Sequence, residues 1–175
     1  MSKTENELLA RAEPSFKVKK GEVLLKSGDT VTSGFYVMSG CLRSYVVDSK
    51  GKEHTYQFAP EGWLISDLEV FKNKQKAFLT IEAIEDSEVK RLLFDFDANN
   101  PDFAKLAMGK MQNRLYALQH RIIQLLSYTA EERYQEFIKT YPDLFSRVPL
   151  KMIASYLGIT PEGLSRIRKE MVKGK

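Results

Sequence analysis

The chain has 175 residues and a mass of 20.1 kDa, room for one ordinary domain or a medium domain with a small one. Hydrophobic residues make up 43% and charged residues 29%, a globular composition, and 27 Lys and Arg against 23 Asp and Glu give a formal net charge of +4. Cys41 alone, with His54 and His120 far apart, excludes an internal disulfide, a Cys-rich zinc site, a cysteine-ligated iron–sulfur cluster and a histidine metal cluster; no metal and no cofactor is expected.

No apolar run approaches the roughly 18 residues of a membrane-spanning helix, and the opening from Met1 to Glu5 does not read as a secretory signal. A cytoplasmic protein with no membrane partner is the expectation. From Phe16 to Phe94, short runs rich in β-branched and aromatic residues alternate with Gly, Pro, Asp and Asn. Strands are predicted at 23–25, 34–38, 42–47, 54–58, 79–84 and 88–93. Asp48, Ser49, Lys50 and Gly51 read as a hairpin turn in which Gly51 supplies the positive φ. Short strands at this spacing indicate one sandwich, barrel or jelly-roll domain.

From Pro101 the period changes from 2 to 3.6. Ala104, Met108, Met111, Leu115, Leu118, Ile122 and Leu125 follow at steps of four and three, a heptad seam carried through about three heptads. Such a stripe either lies on the β domain or pairs with the same helix of a second subunit. The narrow, regular seam points to the pair, with Met108, Met111, Leu115, Leu118, Ile122 and Leu125 at the interface. His120 reads as a polar flank. Thr129 and Glu132 then match a capping box that opens a further helix, which Pro142 stops.

The charge is unevenly placed. Residues 147–175 carry seven basic residues against two acidic ones, a net of +5, while the rest carries 20 against 21, a net of −1. A basic end on a near-neutral body suits a polyanion partner, although a charge run alone is more often a solvated tail. The spacing within this end decides between them. Ile153 and Leu157 face inward from a first helix, and Ala154 is small enough for a second helix to cross close above it. Gly158 stands where the turn needs a left-handed residue. Thr160 can cap the second helix, Pro161 suits its first position, and Leu164 and Ile167 hold it down. Glu162, Gly163, Ser165, Arg166 and Lys169 are left outward, with Arg168 towards the edge. An αα-hairpin would share these spacings without needing a polar, basic outer face. Arg is the usual bidentate donor to guanine, Glu accepts from cytosine, and Ser serves either.

These segments together resemble the Crp/Fnr family of bacterial transcription regulators. The likeness runs from Lys19 to Lys169. Lys19, Lys20, Gly21 and Glu22 with Ser27, Gly28 and Asp29 are similar to the opening of the family's β-roll. Tyr36 to Gly40 resembles its strand end, Ala59 to Trp63 its next Gly turn, and Glu162, Gly163, Leu164, Ser165 and Arg166 the Glu-x-x-Ser-Arg of its recognition helix. The resemblance implies an α+β fold: an antiparallel, jelly-roll-like β-roll of the cyclic-nucleotide-binding type over residues 1–100, a dimerisation helix over 101–127, and a helix-turn-helix over 128–175. The β-hairpin wing of the family is not evident. It also implies that Glu162, Ser165 and Arg166 read base edges, while Thr160, Arg168, Lys169 and Lys151 suit phosphates.

One departure stands out. Cyclic-AMP-binding members carry Gly-Glu closed about ten residues later by Arg-Ser or Arg-Thr. Counted from Gly62, those positions fall on Ser66-Asp67 and Ala77-Phe78. The arginine is absent, Asp67 would repel a phosphate, and the flexible ammonium of Lys76 or Lys74 is a poor substitute. This ligand pocket is therefore read as degenerate.

The expected function is a homodimeric regulator that binds double-stranded DNA at an inverted-repeat operator and does not respond to cyclic AMP. RNA polymerase and an unidentified small-molecule effector are further partners the resemblance allows. Two other classes compete. A cupin-type metal enzyme needs two or three His and a carboxylate in the barrel, whereas the roll holds only His54, so no enzyme is expected. A protein-binding adaptor whose helix-turn-helix does not read DNA would leave neutral residues outward, against which Arg166 stands.

Overall fold

The computed structural model describes residues 12–30, 33–67, 69, 76–93 and 101–173, the side chains at 101–107, 110, 111, 113, 114 and 173 excepted. The chain divides into two compact units, Met1–Phe94 and Asp95–Lys175. The expected boundary near residue 100 lies outside the described residues.

Among the described residues the first unit has eight strands: β1 (Phe16–Val18), β2 (Val23–Leu25), β3 (Ser33–Ser39), β4 (Leu42–Val47), β5 (Glu53–Ala59), β6 (Leu64–Ile65), β7 (Thr80–Ala83) and β8 (Ser87–Leu93). They form two four-stranded antiparallel sheets, in the orders β1-β8-β3-β6 and β2-β7-β4-β5. Each sheet sends one side of its alternating pattern into a shared core of Val18, Leu25, Phe35, Val37, Leu42, Ala59, Ile65, Ile81, Ala83 and Val89. The hairpin between β4 and β5 closes as the sequence predicts. Gly51 has φ +78° and donates to the Asp48 carbonyl at 3.0 Å, and the Asp48 carboxylate accepts from the N–H groups of Lys50 and Lys52.

Two strands were not expected, β1 and β6. They are three and two residues long and carry no alternating pattern of their own. Their existence depends on partners distant in sequence, Val89 for Phe16 and Phe35 for Ile65. Gly40, between β3 and β4, has φ +85°, and a Cβ there would collide with the Ser87 side chain. The Ser87 hydroxyl accepts from the Cys41 N–H at 3.1 Å and donates to the Glu85 carbonyl at 2.8 Å. Only glycine meets both demands at this corner.

The second unit is helical: α1 (Pro101–Ser127), α2 (Ala130–Thr140), α3 (Leu144–Arg147), α4 (Leu150–Leu157) and α5 (Pro161–Lys173). Thr129 and Glu132 form the expected capping box, the Thr129 hydroxyl accepting from the Glu132 N–H at 3.2 Å while the carboxylate accepts from the Thr129 N–H at 2.7 Å. The Thr129 N–H and hydroxyl, both donating to the Glu132 carboxylate, hold that carboxyl below its ordinary pKa. Tyr134 and Phe137 of α2 bury with Leu144, Ile153, Ala154, Leu157 and Leu164 to make the core of this unit. The short α3 was not predicted, since four residues are too few for a period to show. No described helix is long and apolar enough to cross a membrane.

Candidate nucleic-acid interface

Helix α4 ends because Gly158 enters the left-handed region, at φ +70° and ψ 32°. Gly158 then donates to the Ser155 carbonyl at 3.2 Å, and Ile159 donates to the Ala154 carbonyl at 3.0 Å. This double closure caps the last turn and redirects the chain within two residues. The Thr160 hydroxyl accepts from the Gly163 N–H at 3.1 Å, which starts α5. Ala154 and Leu164 are fully buried where the two helices meet, so a small residue on one side and a leucine on the other fix their approach. The geometry is a helix-turn-helix.

Glu162, Arg166 and Lys169 are exposed on α5, at spacings of four and three that align them on one stripe. Among the described residues these three make no side-chain hydrogen bond or ion pair. The acidic Glu162 sits in the first turn, where the helix dipole favours it. Lys151 on α4 is also exposed.

Three other expected contacts are occupied differently. The Ser165 hydroxyl donates back to the Pro161 carbonyl at 2.9 Å, so its proton is committed within α5. Thr160 is exposed, and its oxygen serves the cap. The Arg168 guanidinium carbon lies 4.5 Å from the centroid of the Phe145 ring, and the group also hydrogen-bonds the Tyr134 phenol. Burial pushes that phenol's pKa up, and the Arg168 charge pulls it back. Spacing along α5 cannot reveal this, because Phe145 and Tyr134 come from two other helices.

On α1, Met108, Leu115, Ile122 and Leu125 are exposed and Leu118 is half-buried. The side chains of Ala104 and Met111 lie outside the described residues. His120 is exposed and stacks on Tyr116, ring centroids 4.3 Å apart, as a surface pair one turn apart.

In the β unit, Ser66, Asp67 and Ala77 are buried, Lys76 is exposed, and Phe78 is 68% exposed. Asp67 is 2% exposed, and its carboxylate accepts from the N–H groups of Phe78 and Leu79, both at 2.7 Å, and of Glu69 at 2.9 Å. The expected repulsive carboxylate is thus a chain clamp. Ser66 donates to the Asp67 carbonyl at 3.1 Å. Ala77 exchanges backbone hydrogen bonds with Gly28 and Asp29, and the Lys76 ammonium reaches the Thr30 hydroxyl at 3.5 Å. Phe78 projects into solvent rather than filling the site.

One charged group escaped the sequence reading. Arg43 on β4 is 3% exposed, donates to Glu82 of β7 at 2.7 Å and Glu53 of β5 at 2.6 Å, and stacks on Tyr45 at 4.2 Å. Alternation along β4 turns Arg43 to the side opposite Leu42, and only the register of three strands reveals its two carboxylates. Among the described residues no group of three or more His, Cys, Asp or Glu side chains can hold a metal ion.

An eight-stranded antiparallel β unit followed by a long helix and a helix-turn-helix defines the class, and comparison with known proteins agrees. Residues 15–94 match the cyclic nucleotide-binding domain. The chain is 28% identical over 165 residues to the anaerobic regulatory protein of Aggregatibacter actinomycetemcomitans, covering 86% of this chain and 63% of that one. It is 28% identical over 177 residues to the fumarate and nitrate reduction regulatory protein of Vibrio cholerae, covering 93% and 69%. The chain therefore spans about two thirds of the length of these relatives, which bear the names of regulators rather than enzymes. Its fold is that of FixK2 from Bradyrhizobium japonicum, with a TM-score of 0.78, 20% identity and coverage of 93% and 85% of the two chains. It is likewise that of a Crp/Fnr-family transcriptional regulator from Thermus thermophilus, at 0.69, 18%, 92% and 87%. In sequence and in fold the chain is thus similar to regulators of the Crp/Fnr family.

Proposed function

We propose that the protein is a homodimeric, sequence-specific DNA-binding transcription regulator that does not use cyclic AMP as its signal. The observation that carries this reading is the stripe of Glu162, Arg166 and Lys169, exposed on the second helix of a helix-turn-helix and without intramolecular partners among the described residues. An unpaired arginine flanked by an acceptor and a second cation has the chemistry of base and phosphate contact in a major groove. The net charge of +5 over residues 147–175 supports association with a polyanion.

Assignment of the dimer rests on the exposed heptad residues of α1, a hydrophobic seam that the second copy of the same helix would cover. Two symmetry-related reading helices then require an inverted repeat with half-sites about one helical turn apart. Glu162 and Arg166 read base edges, and Lys151 and Lys169 lie against phosphates. Ser165 contributes through its oxygen lone pairs, since its proton is engaged. The buried Asp67 clamp and the alanine at position 77 offer a cyclic phosphodiester no guanidinium there among the described residues, which supports a different signal.

Binding-site selection from random duplexes at fixed salt tests the reading. Wild type should enrich a palindrome, and Arg166→Ala should weaken specific binding by about 1–3 kcal/mol and relax the preference at one base pair per half-site. Failure to enrich any palindrome would overturn it and favour a protein-binding role for the helix-turn-helix.

A further inference from the structure

The guanidinium of Arg121, near the C-terminal end of α1, lies flat against the helix-turn-helix, its carbon 3.7 Å from the centroid of the Tyr156 ring on α4. Tyr156 is itself held from two sides within this unit. Phe137 of α2 approaches it at 5.6 Å between centroids, and Tyr141 meets it edge-on at 6.0 Å. Burial pulls the Arg121 pKa below the usual arginine value, as expected for a guanidinium on aromatic faces, yet an arginine stays charged.

A second arginine closes the same junction. Arg133 of α2 donates to the Tyr128 carbonyl, just past α1, at 2.7 Å and to the Leu157 carbonyl, at the end of α4, at 2.9 Å. Leu125 completes the contact, a methyl carbon standing 3.6 Å from where a Cβ on Gly158 would be. The turn that aims α5 is therefore packed directly against the last turns of α1.

We propose that the stack of Arg121 on Tyr156 fixes the angle between α1 and the reading helix, and so makes Arg121 a positioning residue that sets which half-site spacing the dimer accepts. This inference rests on the dimeric DNA-binding reading above. In a two-fold dimer, any rotation of the helix-turn-helix about the α1 junction is applied twice, so a small angular freedom becomes a displacement of one α5 relative to the other. Base preference inside a half-site does not depend on that angle. Spacing preference does.

The test uses the intact dimer and operators with identical half-sites whose separation is changed by one or two base pairs. Arg121→Gln and Tyr156→Leu should lose about tenfold in affinity at the preferred spacing and flatten the spacing profile, with unchanged base preference within each half-site. Tyr156→Phe, which keeps the ring, should keep the wild-type preference for one spacing, and Arg121→Lys, which keeps the charge without the flat face, should fall between. If Arg121→Gln fails to fold, the Arg121→Lys profile decides. A separate readout needs no DNA: nitroxides at Lys169→Cys in the two protomers should give one narrow distance by electron–electron resonance in wild type and a broad distribution in Arg121→Gln. A wild-type spacing profile and a narrow distance in the variants would overturn the proposal. A wild type that selects no palindrome but keeps the narrow distance would sink the DNA-binding reading instead.

Discussion

The Asp67 carboxylate receives the N–H groups of two consecutive residues, Phe78 and Leu79, with both hydrogen bonds at 2.7 Å. It thereby ties the residues that follow β6 to those that lead into β7. Asp67 and its bond from Leu79 are buried, so that donor has no water to turn to if the carboxylate is lost. Asp67→Ala should therefore lower the unfolding free energy by about 2–4 kcal/mol. Asp67→Asn should recover part of it, since its amide oxygen still accepts. Denaturant midpoints of the three proteins check this, and equal midpoints would show the clamp to be dispensable.

The same clamp bears on ligand choice. With Ala77 buried and no guanidinium beside it among the described residues, titration calorimetry should detect no saturable binding of cyclic AMP or cyclic GMP below about millimolar concentration, because an unpaired phosphodiester loses the charge-assisted hydrogen bonds that hold it. A micromolar affinity would show that the anion is held by a cation elsewhere, and the exposed Lys76 is then the first residue to replace.

Adjacent basic residues on α5 should behave differently towards salt. Lys169→Ala should weaken binding to all sequences about equally and reduce the slope of log affinity against log salt by about 1. Arg168→Ala should leave the slope unchanged, because its guanidinium is spent on Phe145 and Tyr134, and should instead cost about 1 kcal/mol of stability. Measuring both slopes on one operator separates them; a reduced slope for Arg168→Ala returns that residue to the phosphates.

Assembly has its own assay. Leu118→Glu puts a carboxylate in the middle of the α1 seam, and sedimentation should then report a monomer with the β-sheet circular dichroism intact. A wild type that sediments as a monomer at micromolar concentration would remove the dimer.

Acid stability carries a local signature in the β4–β5 hairpin. A hydrogen bond with His54, then those from the Lys52 and Lys50 N–H groups, lower the Asp48 pKa from 3.8 to about 2. A depressed folded-state value means that folding favours the ionised form. This contribution is fully present above 3.8 and is lost as the pH falls through about 2. Asp48→Asn should therefore flatten the fall in thermal midpoint within that window, and an unchanged slope would show the hairpin bonds to be energetically silent.

What was legible in the sequence follows from the range of each interaction. Strand β4, from Leu42 to Val47, and the Thr129–Glu132 box were read correctly because alternation and capping are short-range chemistry. The Gly158 turn was legible for the same reason, since a left-handed residue after an apolar helix has few other uses. Phe16 and Ile65 gave no local sign of being in strands. Their partners are some 73 and 30 residues away, and the register that joins them is a property of the folded sheet. The outward face of α5 was half legible. Periodicity identifies Glu162, Arg166 and Lys169, yet it treats Arg168 as a further free cation because nothing in the pattern announces Phe145 or Tyr134.

Arg43 has a consequence for how this protein can change over time. One guanidinium, almost wholly out of water, is shared by Glu82 and Glu53. Removing it alone would leave the largely buried Glu82 carboxylate without its cation and cost about 1–3 kcal/mol. Removing one carboxylate is milder, since the other still answers the charge. Descendants of this sequence should therefore lose Glu53 or Glu82 before they lose Arg43, and a lineage that has lost Arg43 should already have lost a carboxylate.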